Sequence, residues 1–109
     1  MCKALFQVLR IAIIRFVKSS LIYGIFVKGV NSSVINSTIT ADSRPIEVVS
    51  ENGLIYNNKI VNGGNNNAIQ IVNNDSATVS NNIISNPNSN GVLVFGTPNC
   101  IITNNIITN

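Results

Sequence analysis

The chain has no histidine and no tryptophan among its 109 residues. Without imidazole there is no His-based catalytic triad, no imidazole metal ligand and no histidine acid–base pair. Two cysteines, Cys2 and Cys100, stand near opposite ends; they are too few to read as a disulfide framework and identify no compartment. Charged residues make up only 10% of the chain, and they are unevenly placed. Lys3, Arg10, Arg15, Lys18 and Lys28 lie near the start, while Arg44 and Lys59 face Asp42, Glu47, Glu51 and Asp75 over the remainder. The formal net charge of +3 therefore belongs to the start of the chain, and a basic nucleic-acid face across the rest is excluded. No apolar stretch reaches the length of a transmembrane helix. Gly63-Gly64 is followed by Asn65-Asn66-Asn67, without the Lys and helix that a phosphate-cradling loop requires; it reads as an enlarged corner loop.

What is present is a repeat. Four stretches superimpose, opening at Gly24, Pro45, Ala68 and Gly91, so that the steps are 21, 23 and 23 residues. Each opens with a small or turn-making residue and an apolar-x-apolar triplet: Ile25/Val27, Ile46/Val48, Ile69/Ile71 and Val92/Val94. Each triplet puts two side chains on one face of a short strand. Each stretch closes on a similar phrase, over residues 34–39, 55–60, 78–83 and 101–106. A second apolar set, Ile35, Tyr56, Val79 and Ile102, starts another strand, and Ile39, Ile60, Ile83 and Ile106 follow it. Asn, Ser, Gly and Pro fill the intervals, as sharp corners demand. No uninterrupted helical face occurs in residues 24–109. A period near 23 built of short strands means one supersecondary unit stacked on itself, here one turn of a parallel β-helix. With 45% hydrophobic residues, such a stack can fill its interior. At this length it is one domain at most.

Asn57-Asn58-x-Ile60, Asn81-Asn82-Ile83 and Asn104-Asn105-Ile106, with the Gly/Ala-Ile/Val-x-Ile/Val openings, resemble the right-handed parallel β-helix repeats of the pectate-lyase-like and NosD type, over residues 24–109. The resemblance implies an all-β solenoid of about four coils and a polysaccharide-acting or cell-surface setting, hence an extracellular or surface location. It implies no particular activity, because function on a shared scaffold resides in a site. The repeats predict an inward ladder of Asn58, Asn81 and Asn104 continued by Ser37, each amide bonding to the next. Tyr56 is predicted in an inward column. Cys100 is predicted as a small buried residue in register with Ala77, Leu54 and Ser33.

Residues 1–23 form a separate basic, apolar segment. As a strand, Ile11, Ile13 and Val17 match the inward positions of later coils, with Arg15 where Asn would sit. As a helix, Lys3, Gln7, Arg10 and Lys18 gather on one side, fit to cap the stack or lie on a membrane surface. As a signal sequence it is poor, since Arg10 and Arg15 interrupt the apolar run and no A-x-A site follows. The fourth closing phrase, over residues 101–106, is expected to lack a capping segment after it. The expectation is a fragment of a longer β-helix, a truncated product, or a unit prone to end-to-end self-association.

Enzymes of the resembled superfamily use carboxylates for Ca²⁺, an Arg or Lys base, or clustered Asp. Here Asp42, Arg44, Glu47, Glu51 and Asp75 are the catalytic candidates. Glu51 and Asp75, one position apart on neighbouring coils, are the candidates for Ca²⁺, although two carboxylates are a poor start toward six to eight oxygen ligands. A hydrolase pair facing across a sugar is not evident, because Asp42 and Asp75 fall at different positions around the coil. Phe26, Glu47 and Gln70, with Leu93, form an outward column suited to a sugar face. The leading expectation is a non-catalytic structural or carbohydrate-binding segment. The alternative is a remnant or subunit of a polysaccharide lyase or epimerase acting on uronic-acid polymers. Asn31-Ser32-Ser33, Asn36-Ser37-Thr38 and Asn74-Asp75-Ser76 match the glycosylation pattern, as chance allows in a chain so rich in Asn and Ser.

Overall fold

The computed structural model describes residues 12–13, 16–19, 23–41, 44–62, 66–72, 75–85, 87 and 89–108. Two short strands come first, β1 (Ala12–Ile13) and β2 (Phe16–Ser19). Four triplets follow. They are β3 (Tyr23–Val30), β4 (Ser33–Ile35) and β5 (Thr38–Ala41); β6 (Arg44–Glu51), β7 (Gly53–Tyr56) and β8 (Lys59–Asn62); β9 (Ile69–Val72), β10 (Ala77–Ser80) and β11 (Ile83–Ser85); and β12 (Val92–Phe95), β13 (Ile101–Thr103) and β14 (Ile106–Thr108). Every pairing is parallel and joins equivalent strands of successive triplets. Three sheets result: β1-β4-β7-β10-β13, β2-β5-β8-β11-β14 and β3-β6-β9-β12. We call them the first, second and third sheet. The chain is a parallel β-solenoid. From β3 to β12 it returns to the third sheet three times, so about three full turns are made where the repeats suggested about four coils.

The interior is filled by the triplet openings. Ile25, Ile46 and Ile69 stack in one column and Val27, Val48 and Ile71 in the next, all fully buried, with Val92 and Val94 packed against them. Each fully buried Val or Ile contributes about 1.5–3 kcal/mol, so these columns are the main cohesive term. The first sheet adds Val34, Ile55 and Val79, and the second adds Ile39, Ile60 and Ile84.

The first-sheet and second-sheet columns differ from the sequence expectation. Ile84, not Ile83, stacks on Ile60, and Ile107, not Ile106, stacks on Ile84; Ile83 and Ile106 point outward and are exposed. Val79 stacks on Ile55 rather than on Tyr56, and Tyr56 pairs with Ser80 and is exposed. Cys100 immediately precedes Ile101, which pairs with Thr78, and so stays in step with Ala77; Ala77 pairs with Gly53, and Leu54 pairs with Thr78 instead. One cause explains all these shifts. The step from the second rung to the third is 23 residues at Ile46↔Ile69 but 24 at Gly53↔Ala77. One extra residue therefore enters the corner between β9 and β10. A register slip of one place turns every later side chain to the opposite face, and the adjacent Asn pairs conceal it. The two residues that lengthen the previous step lie between Asn62 and Ile69, since Ala41↔Asn62 is a step of 21 and Ile46↔Ile69 one of 23. That is the stretch containing Gly63-Gly64, which itself falls outside the described residues.

β1 and β2 pair with β4 and β5, so part of the N-terminal segment is an incomplete coil rather than a capping helix. Val17 takes the position of Ile39 as expected, but Ala12, not Ile13, takes that of Val34. Residues 1–11 lie outside the described residues.

Corners are turned by asparagine. Among the described residues, the seven non-glycine residues with positive φ are all Asn: Asn31, Asn36, Asn52, Asn57, Asn81, Asn99 and Asn104, at 53–58°. An L-residue there costs about 1–2 kcal/mol, a penalty to which Asn and Asp are the usual exceptions because their short polar side chains bond locally.

Candidate functional site

The turn between the first and second sheets carries the Asn ladder. Its inward members are Ser37, Asn58, Asn82 and Asn105, which corrects the sequence expectation of Asn81 and Asn104. Those two turn the backbone with positive φ and are exposed. Asn58 and Asn82 are buried. The Ser37, Asn58 and Asn82 backbone N–H groups donate to the Oδ1 of the next rung at 3.0, 2.9 and 3.0 Å. The Nδ2 groups of Asn58, Asn82 and Asn105 donate to the carbonyls of Val34, Ile55 and Val79 at 2.9, 3.0 and 2.9 Å. Burial of these amides is compensated by such partners.

Two further lines of bonds were not read from the sequence. On the exposed side of the same corner Asn57 Nδ2 donates to Asn36 Oδ1 at 2.7 Å. At the corner before the first sheet, Asn52 Nδ2 donates to Asn31 Oδ1 at 3.2 Å and Ser76 Oγ donates to Asn52 Oδ1. A third ladder opens the third sheet. Asn90 donates to Asn67 Oδ1 from Nδ2 at 2.9 Å and from its backbone N–H at 3.2 Å. The signal for it was present: Asn67 and Asn90 each stand immediately before a triplet opening, one step apart.

The candidate carbohydrate strip lies on the outer face of the third sheet. Phe26, Glu47, Gln70 and Leu93 pair in one line across β3, β6, β9 and β12. Glu47 is nearly covered, with its side chain 10% exposed, and its carboxylate accepts from Arg44 Nη1 at 3.1 Å. Gln70 Oε1 accepts from Asn67 Nδ2 at 2.9 Å. The third-sheet ladder thus fixes one member of the strip and an ion pair fixes another. Lys28, Val49, Val72 and Phe95 lie two residues further along the same strands; outward positions recur with a period of two. Phe95 is 65% exposed.

Glu51 and Asp75 are exposed and each immediately precedes a residue of the Asn52–Ser76 bond. Asp42 lies outside the described residues. Among the described residues no three His, Cys, Asp or Glu side chains gather as a metal-holding group. Cys100 is half-buried against the core, and burial pushes its thiol pKa up, which disfavours a reactive thiolate. No helix among the described residues is long and apolar enough to cross a membrane.

Comparison with curated proteins and with solved structures found no match. A family model described as "Right handed beta helix region" matches residues 15–109. That span holds β2 and all four strand triplets, and on it the chain belongs to the right-handed β-helix family.

Proposed function

We propose that this chain is a non-catalytic structural segment of a surface or secreted protein, and that the outer face of its third sheet binds carbohydrate. The observation that carries the reading is the line Phe26–Glu47–Gln70, in which a ring stands in register with a carboxylate held by Arg44 and an amide held by Asn67. An aromatic face accepts the apolar face of a sugar, and fixed acceptors meet its hydroxyls without paying again for side-chain order. The surface or secreted setting rests on the resemblance of the repeats to those of polysaccharide-acting proteins.

Retention on insoluble polysaccharides and affinity electrophoresis in gels of soluble ones test it. Phe26→Ala and Gln70→Ala are each expected to weaken retention by about tenfold, the effect of ~1.4 kcal/mol. Retention unchanged in both variants, or absent from the unaltered chain across neutral and acidic polymers, would sink the reading.

The second reading, a lyase or epimerase remnant, draws on Asp42, Arg44, Glu47, Glu51 and Asp75. Its supporting observation is the cation–carboxylate pair Arg44–Glu47 on an outer face. Incubation with uronic-acid polymers, with and without Ca²⁺, separates the two. Unsaturated products at an appreciable rate favour the enzyme, and their absence favours the binding segment.

A further inference from the structure

Among the described residues, the first sheet alone carries no charge. β1, β4, β7, β10 and β13 contain no charged residue. The strands of the second sheet include Lys18 and Lys59, and those of the third include Lys28, Arg44, Glu47 and Glu51. Glu51 and Lys59 are the charges nearest in sequence to β7, and each lies beyond a corner, at the end of β6 and the start of β8. Val34, Ile55 and Val79 point into the core, so their strand neighbours point out. Tyr56 therefore stands on the outer face, 40% exposed, between Ile35 on the previous rung and Ser80 on the next. β7 is an interior strand, paired on both sides.

A file of exposed Asn borders this face. Asn36, Asn57 and Asn81 directly follow Ile35, Tyr56 and Ser80, and their φ values are 53°, 56° and 56°. The file is bonded at one step and open at the next. Asn57 Nδ2 donates to Asn36 Oδ1 at 2.7 Å. Among the described residues nothing donates to Asn57 Oδ1, and the Asn81 side chain makes no hydrogen bond. At the opposite border of the sheet the corresponding step is closed, because Asn52 Nδ2 donates to Asn31 Oδ1 and Ser76 Oγ donates to Asn52 Oδ1. With its nitrogen engaged toward the previous rung, the planar Asn57 amide turns its oxygen toward the next, where Asn81 stands at a rung spacing of about 4.8 Å. One unmet acceptor and one whole unmet amide thus adjoin an exposed ring on a face without charge.

We propose that Tyr56, Asn57 and Asn81 form a subsite for one residue of a neutral sugar chain. The apolar face of a pyranose lies on the Tyr56 ring, one hydroxyl donates to Asn57 Oδ1, and the neighbouring oxygen accepts from Asn81 Nδ2. The site is on a different sheet from the Phe26–Glu47–Gln70 strip and stands whether or not that strip binds. Its occupant follows from charge and hydrogen-bonding capacity. The face offers an ionic group no counter-charge, and a charge desolvated there stays unpaired. A neutral pyranose supplies both an apolar face for the ring and adjacent hydroxyls for the two amides. A ligand this small on an open face binds with a Kd on the order of 1 mM.

A second copy of this chain, laid face to face on the first sheet, fits less well. Ile35, Leu54 and Thr78 around Tyr56 are already half-buried by their neighbours. They leave little apolar area toward the roughly 800 Å² per partner of a stable interface.

The test is NMR of the nitrogen-labelled full chain, titrated with cellohexaose, mannohexaose and maltohexaose, and with hexagalacturonate as the charged comparison. A saturable shift of the Asn57 and Asn81 side-chain amide signals is expected with at least one neutral oligomer and not with hexagalacturonate. Tyr56→Ala is expected to weaken that affinity by at least about tenfold, and Tyr56→Phe to keep it within about twofold because the ring remains. Asn81→Gly keeps the freedom of positive φ and removes the amide, for a loss of about fivefold. Phe26→Ala leaves the affinity unchanged, which separates this site from the third-sheet strip. No saturable shift at Asn57 and Asn81 with any neutral oligomer, equal shifts with hexagalacturonate, or full affinity in Tyr56→Ala each overturns the proposal. Shifts of the same signals that grow with protein concentration in the absence of sugar would identify a second copy as the occupant and overturn it as well.

Discussion

At the corner between β10 and β11, Asn81 turns the backbone at φ 56° with its side chain in solvent, while Asn82 is buried and bonded on both sides. The same residue type therefore answers two separate physical demands one place apart. Asn82→Leu keeps the volume but removes the acceptor of the Asn58 N–H and Nδ2 and the donor to Ile55. Each buried polar group left without a partner costs about 1–3 kcal/mol, so a loss of roughly 3–5 kcal/mol is expected. Asn81→Ala keeps every ladder bond and loses only tolerance of positive φ, about 1–2 kcal/mol, and Asn81→Gly should cost a few tenths at most. Urea unfolding of the three variants checks the order. A larger loss at Asn81 than at Asn82 would mean that the corner is placed one residue out. A residue-by-residue reading of Asn-Asn cannot make this distinction, because both members have the composition of a corner; only the length of the preceding loop decides which of them faces in.

At the scale of the strands, close approach between rungs matters most where glycine opens a triplet. A Cβ at Gly24 would lie 2.7 Å from the Pro45 carbonyl oxygen and close to Ile39 and Ala41. Backbone on one side and core on the other leave it no room. A Cβ at Gly91 would instead meet the Ile107 side chain, at 2.7 Å from its terminal methyl, and Ile107 is half-exposed and free to turn. Gly24→Ala is therefore expected to destabilise by about 1–3 kcal/mol, and Gly91→Ala by less than half as much. Equal thermal shifts for the two would contradict this packing. The strand content and the third-sheet columns were legible from Gly24, Pro45, Ala68 and Gly91 onward, because apolar-x-apolar triplets after a small residue have only one sensible face to bury. Ile39 and Ile60 were legible as well; Val34 and Ile55 were not, because the expectation set Ile35 and Tyr56 inward and the apolar pairs Val34-Ile35 and Ile55-Tyr56 fit either register. After Ile71 the second-sheet column lost its phase too, since Ile83-Ile84 and Ile106-Ile107 each offer an apolar residue in either register. The outward line Phe26–Glu47–Gln70–Leu93 was readable as a line. The Arg44 and Asn67 contacts that hold it were not, because both come from residues outside the repeat's alternating positions.

For the molecule as a whole, charge and exposed apolar surface are distributed in opposite senses. After Lys59 the sequence contains a single charged residue, Asp75. Ile83, Phe95, Ile101, Ile102, Ile106 and Ile107 are all exposed in the same part of the stack. Natural sheet edges are guarded by Lys, Pro, bulges or covering segments, and β13 and β14 carry none of these among the described residues. For the 109-residue chain taken in isolation, association through these strands is therefore expected at high concentration, driven by apolar burial. Ile107→Lys places a charge at the rim of the end face while its stem still covers Gly91. It should raise the monomer fraction in light scattering across a concentration series and leave strand content by circular dichroism unchanged. A chain that stays monomeric throughout the series would show that this end is covered, and the charge at position 107 would then change nothing.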